Sequence, residues 1–249
     1  MRAQTLSCLA TALVLAVGAA GPARAVEDYD TCLTLIGFDP AQAELEAGEW
    51  ARFGGGAPAR HCYALALIEN GAPGRAIDEL LDIVAEEGLL ADQARAEILV
   101  QAGELLVEEG DLVTAGVVAA QAISLDGGTP GAAGLRASIR LRQNNPRGAL
   151  EDLNTALAGG TSNPRLLILR ASAYRAIDQF IAARDDAVFA TELAPDFAEA
   201  WLERGRVEAR LRDKRSARDS LLRAIDLDRG GRIGLAAQNA LQRMEAGID

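Results

Sequence analysis

The chain has 249 residues, a formal net charge of −11 and only 4% aromatic residues, against 50 alanines and 25 glycines. So much Ala with so few aromatics describes helices packed on small contacts and argues against a sheet-based scaffold. The acidity argues against a nucleic-acid partner.

The first 25 residues carry a positive residue, Arg2, then an apolar run from Leu6 to Val17. Ala23-Arg24-Ala25 follows, ahead of the acidic stretch Val26-Glu27-Asp28. This pattern predicts a secretory signal peptide, residues 1–25, cut after Ala25. The run is short of the ~20 residues a spanning helix needs, which sets a retained anchor aside. Cys8 lies inside the run instead of after it, the wrong place for a lipid attachment. The expected location is therefore the periplasm, with no membrane span after cleavage.

Two cysteines remain, Cys32 and Cys62. An even number in an oxidising compartment predicts a disulfide. It would close a loop of about 30 residues and contribute roughly 3–4 kcal/mol in the chain-entropy treatment. Free thiols, or a metal site using His61 (the only histidine), are the alternatives. Residues 26–56 end in Gly54-Gly55-Gly56 and read as an irregular segment with a flexible linker, tied by that bridge to the helices that follow.

From residue 96 onward the chain repeats with a period of 34, in blocks 96–129, 130–163, 164–197 and 198–231. Position 8 of the blocks is Gly103, Ala137, Ala171 and Gly205. Position 20 is Ala115, Ala149, Ala183 and Ala217, and position 27 is Ala122, Ala156, Ala190 and Ala224. A weaker block, 57–95, places Ala64, Ala76 and Ile83 at the same three positions, with five extra residues near Glu87 to Gln93. Turn signals fall inside the blocks at Asn70 to Gly74, Glu109 to Asp111 and Asn144 to Pro146, and between blocks at Asp126 to Gly128 and Gly159-Gly160. After Gly230-Gly231, residues 232–249 hold an amphipathic helix with Ile233, Leu241 and Met244 on one face, suited to cap the array.

These blocks resemble the tetratricopeptide-repeat family, whose motif runs W-x2-L-G-x2-Y, A-x3-F, A and P over 34 residues. The last block has Trp201, Gly205 and Leu221 at the Trp, Gly and Phe positions, and the block before it has Tyr174 and the closing Pro195. Arg204, Glu208 and Arg229 depart from the motif. The resemblance implies an all-α fold, a right-handed α-solenoid of about five helix–turn–helix repeats with a C-terminal capping helix. In each repeat, helix A, helix B and the next helix A would meet at the small residues.

No catalytic signature is present: there is no G-x-S-x-G, no H-E-x-x-H and no P-loop. The carboxylate pairs Asp185-Asp186 and Glu86-Glu87 point different ways around a helix and read as solvated faces. The expectation is a binding protein with no enzyme activity, no cofactor and no metal.

Charge is distributed unevenly. Residues 26–129 contain four basic and twenty acidic side chains, whereas residues 130–249 contain nineteen basic and sixteen acidic. In the family, positions 2, 5, 9, 12 and 13 of helix A line a concave groove. The resemblance therefore assigns Glu97, Val100, Glu104, Leu141, Arg142, Arg165, Ile168, Arg175, Leu202, Arg206 and Arg210 to a partner-binding groove. Such a groove runs from acidic to basic and suits an acidic peptide or loop of a partner protein, with Val100, Leu141, Ile168 and Leu202 as apolar contacts. The competing readings are an arginine face paired with neighbouring glutamates, and a structural envelope protein that self-associates through charge-complementary repeat ends.

Overall fold

The computed structural model describes residue 26, residues 28–86, 88, 90–126, 129–158, 160 and 162–248. The signal-peptide stretch 1–25, the glycines at 127, 128 and 159, and residues 87 and 89 of the expected insertion lie outside the described residues. Among the described residues there are thirteen helices and no strand. They are α1 (Tyr29–Phe38), α2 (Pro40–Arg52), α3 (Gly56–Glu69), α4 (Pro73–Ala85), α5 (Asp92–Glu109), α6 (Leu112–Asp126) and α7 (Pro130–Arg142). Then follow α8 (Pro146–Leu157), α9 (Pro164–Ala176), α10 (Phe180–Leu193), α11 (Ala198–Arg210), α12 (Lys214–Leu227) and α13 (Arg232–Glu245).

Local sequence sets the helix ends. Proline opens α2, α4, α7, α8 and α9, where its missing N–H is harmless. Asn145, Asn163 and Asp213 accept N–H bonds from the first turns of α8, α9 and α12. Position 15, the turn between the two helices of a repeat, is left-handed in all five blocks: Gly71, Gly110, Asn144, Asp178 and Arg212. Gly, Asn and Asp adopt that conformation readily, whereas Arg212 does so at a steric cost.

Each helix packs on the next, and α5, α7, α9, α11 and α13 also pack in succession as the inner row. Eleven of the twelve small residues at positions 8, 20 and 27 are buried, Ala156 near the end of α8 being half-buried. A methyl group on Gly103 would collide with Leu135 of the next inner helix, and one on Gly205 would lie 2.6 Å from Leu221 of its own repeat. Both contacts that the repeat pattern implies are thus present. The capping helix buries Ile233 and Met244, with Leu241 partly covered.

The N-terminal segment is not irregular, which corrects the reading of residues 26–56. It forms α1 and α2, and α1 packs on both α2 and α3. Pro40 starts a helix here, and Gly55 is a packing requirement, since a Cβ there would strike Trp50 and Ala59. Cys32 of α1 and Cys62 of α3 are fully buried, with Cα atoms 6.3 Å apart. The irregularity lies further on. The inserted residues extend α5 to 18 residues, and α3 and α5 do not pack backbone to backbone. His61 spans that junction: Tyr29 donates to its Nδ1 at 2.6 Å, and its Nε2 donates to Gln101 at 2.7 Å.

A buried carboxylate gripped by an arginine recurs inside the later repeats. Arg136 grips Asp152 through Nε and Nη2 at 3.1 and 2.8 Å, with Arg140 adding a third contact at 3.0 Å. One period later Arg170 grips Asp186 at 2.7 and 2.8 Å. In the last repeat Ser220 stands at the Asp position. The carboxylate comes instead from Glu208, which takes Arg204 at 2.8 Å and accepts from the Ser220 hydroxyl at 2.7 Å. Arg204 and Glu208, the departures from the family motif, therefore form one compensated pair. Asp186 is corrected as well: Asp185 is solvated, but Asp186 is buried beneath Arg170.

Removing one partner of such a pair leaves an uncompensated charge. Asp186→Ala should lower unfolding stability by about 3 kcal/mol in a urea titration. Arg212→Gly, which relieves the left-handed position, should raise it by about 1 kcal/mol.

Candidate protein-binding groove

The inner row of helices encloses a cavity of about 360 Å³. Helix α5 contributes Glu104, Val107 and Glu108, α7 contributes Gly134, Leu135, Ser138 and Arg142, and α9 contributes Arg165, Leu166 and Ile168. Phe197 and Glu199 enter from the start of α11 and Arg232 from the start of α13. The floor is apolar, with Val107, Leu135 and Leu166 buried. Gly134 lets α9 approach, since a Cβ there would lie 2.7 Å from Leu166.

Charged side chains bridge this groove. Arg165 of α9 reaches Glu104 of α5 at 3.5 Å, and its guanidinium lies 5.9 Å from the centre of the Phe197 ring. Arg232 of α13 reaches Glu108 at 3.5 Å, across 124 positions of sequence. Neither α9 nor α13 packs its backbone on α5, so these contacts cross open groove. Loss of water pushes the Glu104 carboxyl above its ordinary pKa; Arg165 opposes this and Glu108 reinforces it.

A second cavity of about 560 Å³ lies at the C-terminal end, walled by Arg175, Arg206, Arg210 and Arg243 with Asn239. Arg175 donates to Glu203 at 2.6 Å, and Arg206 approaches the same carboxylate at 3.6 Å. Glu203 is buried, so it fixes two guanidinium groups at the cavity wall. Arg210 pairs with Asp178 at 3.3 Å and lies 4.8 Å from the centre of the Phe180 ring.

No protein-family profile matches the chain, and no curated protein matches it in sequence. Solved structures do match. The C-terminal part of a TPR repeat-containing protein from Cytophaga hutchinsonii aligns with a TM-score of 0.53 at 15% identity, over 88% of this chain and 96% of that one. A chain of the APC/C hetero-tetramer Cut9-Hcn1 aligns with a TM-score of 0.70 at 15% identity, over 89% of this chain. The present chain has the tetratricopeptide-repeat fold. It spans 44% of the Cut9-Hcn1 chain. MamA from Desulfovibrio magneticus RS-1 aligns with a TM-score of 0.50 at 20% identity, over 68% of this chain and 92% of that one.

Within this TPR array all of the sequence-derived groove residues except Glu97 fall into three groups. Glu104, Arg142, Arg165 and Ile168 line the central cavity, and Arg175, Arg206 and Arg210 line the C-terminal one. Glu97 is exposed on α5 and accepts from Gln93 at 3.2 Å, outside both. The third group packs inward. Leu202 is only 4% exposed, locked against Leu221 and Ala224, and offers a partner almost no surface. Val100 and Leu141 are half-buried against the cores of their own repeats. Sequence reasoning missed Arg232, Asn239 and Arg243, because α13 was read as a cap and not as a further inner helix, and it missed Phe197, which precedes α11 and lies outside the helix A positions assigned to the groove.

Among the described residues, no group of three His, Cys, Asp or Glu side chains is arranged to hold a metal ion. No helix of the described residues is long and apolar enough to cross a membrane.

Glu104 yields a test of groove electrostatics. Its raised pKa means the folded chain holds this proton more tightly than the unfolded chain does, so the group favours folding when protonated. Its contribution to stability therefore grows as pH falls through the folded pKa and is absent above it. Glu104→Gln should unfold at higher urea than the parent at pH 7, the gap closing as the pH is lowered. A lower midpoint at pH 7 would show that the Arg165 attraction outweighs desolvation.

Proposed function

We propose that this chain is a non-catalytic scaffold that seats an extended, acidic segment of a partner protein in its inner groove. The observation that carries the reading is the central cavity itself: an apolar floor whose rim holds Arg142, Arg165 and Arg232 from α7, α9 and α13, beside Glu104, Glu108 and Glu199. Arg142 has no carboxylate partner among the described residues. Arg165 and Arg232 pair with the part-exposed Glu104 and Glu108, and Arg165 also lies against the Phe197 ring, so an incoming carboxylate displaces weak ion pairs and no fully buried ones. Apolar side chains at alternate positions of the segment would reach the floor between them. Charge would set orientation and on-rate more than strength. Arg175 and Arg206, anchored on buried Glu203, extend the basic rim toward α13.

The self-association reading relies on the opposed charge of the two halves. Glu104–Arg165 and Glu108–Arg232 satisfy part of that complementarity within one chain, which favours the groove reading.

The same proposal places the chain in the periplasm, exported by residues 1–25 and closed by a Cys32–Cys62 disulfide. The leader pattern and the buried cysteine pair support this.

A labelled peptide alternating Glu and Leu tests the groove. It should bind the parent chain, and Arg142→Glu should weaken it by about tenfold or more, with a comparable loss at high salt. Arg142 is exposed, so circular dichroism should be unchanged. Equal binding of a Lys/Leu peptide, or indifference to Arg142→Glu, would remove the acidic-segment reading. For the disulfide, the exported chain should show no free thiol, and reduction should lower stability by roughly 3–4 kcal/mol.

A further inference from the structure

Val26 is the first residue after the predicted cut, and it is not at the surface. It is 3% exposed, buried with Cys32, Ala47 and Cys62, and Tyr29 and Trp50 pack against the same cluster. Its N–H donates to Glu46 Oε2 at 2.9 Å, and Gln42 Nε2 donates to the other carboxylate oxygen at 2.7 Å. Glu46 is half-buried, and among the described residues no cationic side chain pairs with it.

A carboxylate drawn partly out of water is stabilised by a counter-charge. The four arginines of residues 26–129 are committed elsewhere. Arg60 holds Glu79 and Glu86, Arg75 holds Glu44, Arg95 holds Asp92, and Arg52 donates to the Gly48 carbonyl. Asp30 lies with Glu46 around one surface cavity and adds a like charge. The site therefore lacks a cation, and the atom facing the carboxylate is the backbone nitrogen at the predicted cleavage bond.

We propose that removal of residues 1–25 creates the counter-ion of Glu46: the new α-ammonium of Val26 pairs with it and locks the N-terminal helical layer. The inference rests on the export reading above. Hydrolysis of the Ala25–Val26 bond adds hydroxyl to the Ala25 carbonyl, which leaves with the leader as a carboxylate. The Val26 nitrogen becomes a primary amine, protonated at neutral pH. It then holds a full positive charge where the amide N–H stood, with donors to spare for the second oxygen. Val26 is covered in the folded chain, so the cut precedes docking of α1 on α3. The Cys32–Cys62 pair lies in the same cluster, so the N-terminus and the cysteines close one layer together.

The test compares three preparations at pH 7: the chain beginning at Val26 with a free amino group, the same chain with that group acetylated, and the chain retaining Ala25. Acetylation removes the charge and leaves every other residue in place. The free form should melt highest, with the acetylated form lower by about 2–4 °C and the Ala25 form lower as well. In Glu46→Gln the free and acetylated forms should melt together. Equal melting of free and acetylated parent chains, or a gap that persists in Glu46→Gln, overturns the pairing. The mass of the chain recovered from an exporting cell tests the other half: an N-terminus other than Val26 overturns the cleavage reading, even where the purified chains reveal the pairing.

Discussion

The structure depends on close approach between helix backbones at three positions of each 34-residue block. At Gly103 and Gly205 there is no room for one more methyl group, and alanine fills nearly every equivalent place without exposure. A helix pair alone cannot bury its apolar face, so each repeat gains its core from the next. Larger side chains such as Leu135, Leu153 and Leu221 fill the spaces between those contacts. The tight axis also brings the inner helices into one continuous row, which makes a groove instead of separate surface patches.

On that frame the protein adds buried charge. The Arg136–Asp152 and Arg170–Asp186 pairs join the two helices of their repeats, and Arg204–Glu208–Ser220 achieves the same from a different residue set. A family motif would place apolar residues at some of these positions. Here the guanidinium stems cover apolar surface while their heads satisfy a buried carboxylate, and geometry at two N–H donors fixes how the helices face one another. The interior of the array is correspondingly specific in register despite its small side chains.

The uneven charge of the chain has its consequence in three dimensions. The acidic α5 faces the basic α9 and α13 across the groove, so the acidic half offers carboxylates to the arginines of the other half. At Glu104, partial loss of water opposes the attraction of Arg165. At the other end, the Val26 N–H meets the Glu46 carboxylate, the contact on which the proposed N-terminal ion pair rests.

Much of the fold was legible in the sequence, because backbone proximity restricts residue size and size is visible residue by residue. The period, the small-residue positions, the turns at Gly71, Gly110 and Asn144, and the buried face of α13 follow from that restriction. Residues 26–56 were misread because Gly54–Gly56 look like a flexible linker, and only packing reveals Gly55 as a close contact with Trp50. The family resemblance assigned Arg142, Arg165 and Ile168 to the groove, and they line the central cavity, yet it also assigned Leu202, which packs into a core. Whether a helical position faces the groove or the next core depends on the rotation of the neighbouring helix, which no local pattern encodes. The partnership of Glu108 with Arg232 lies 124 residues apart and depends on accumulated superhelical curvature. The sequence by itself therefore determined the repeat and its backbone contacts, because these are local and periodic. Tertiary structure alone decided which charges meet across the groove, because that follows from the summed rotation of every repeat between them.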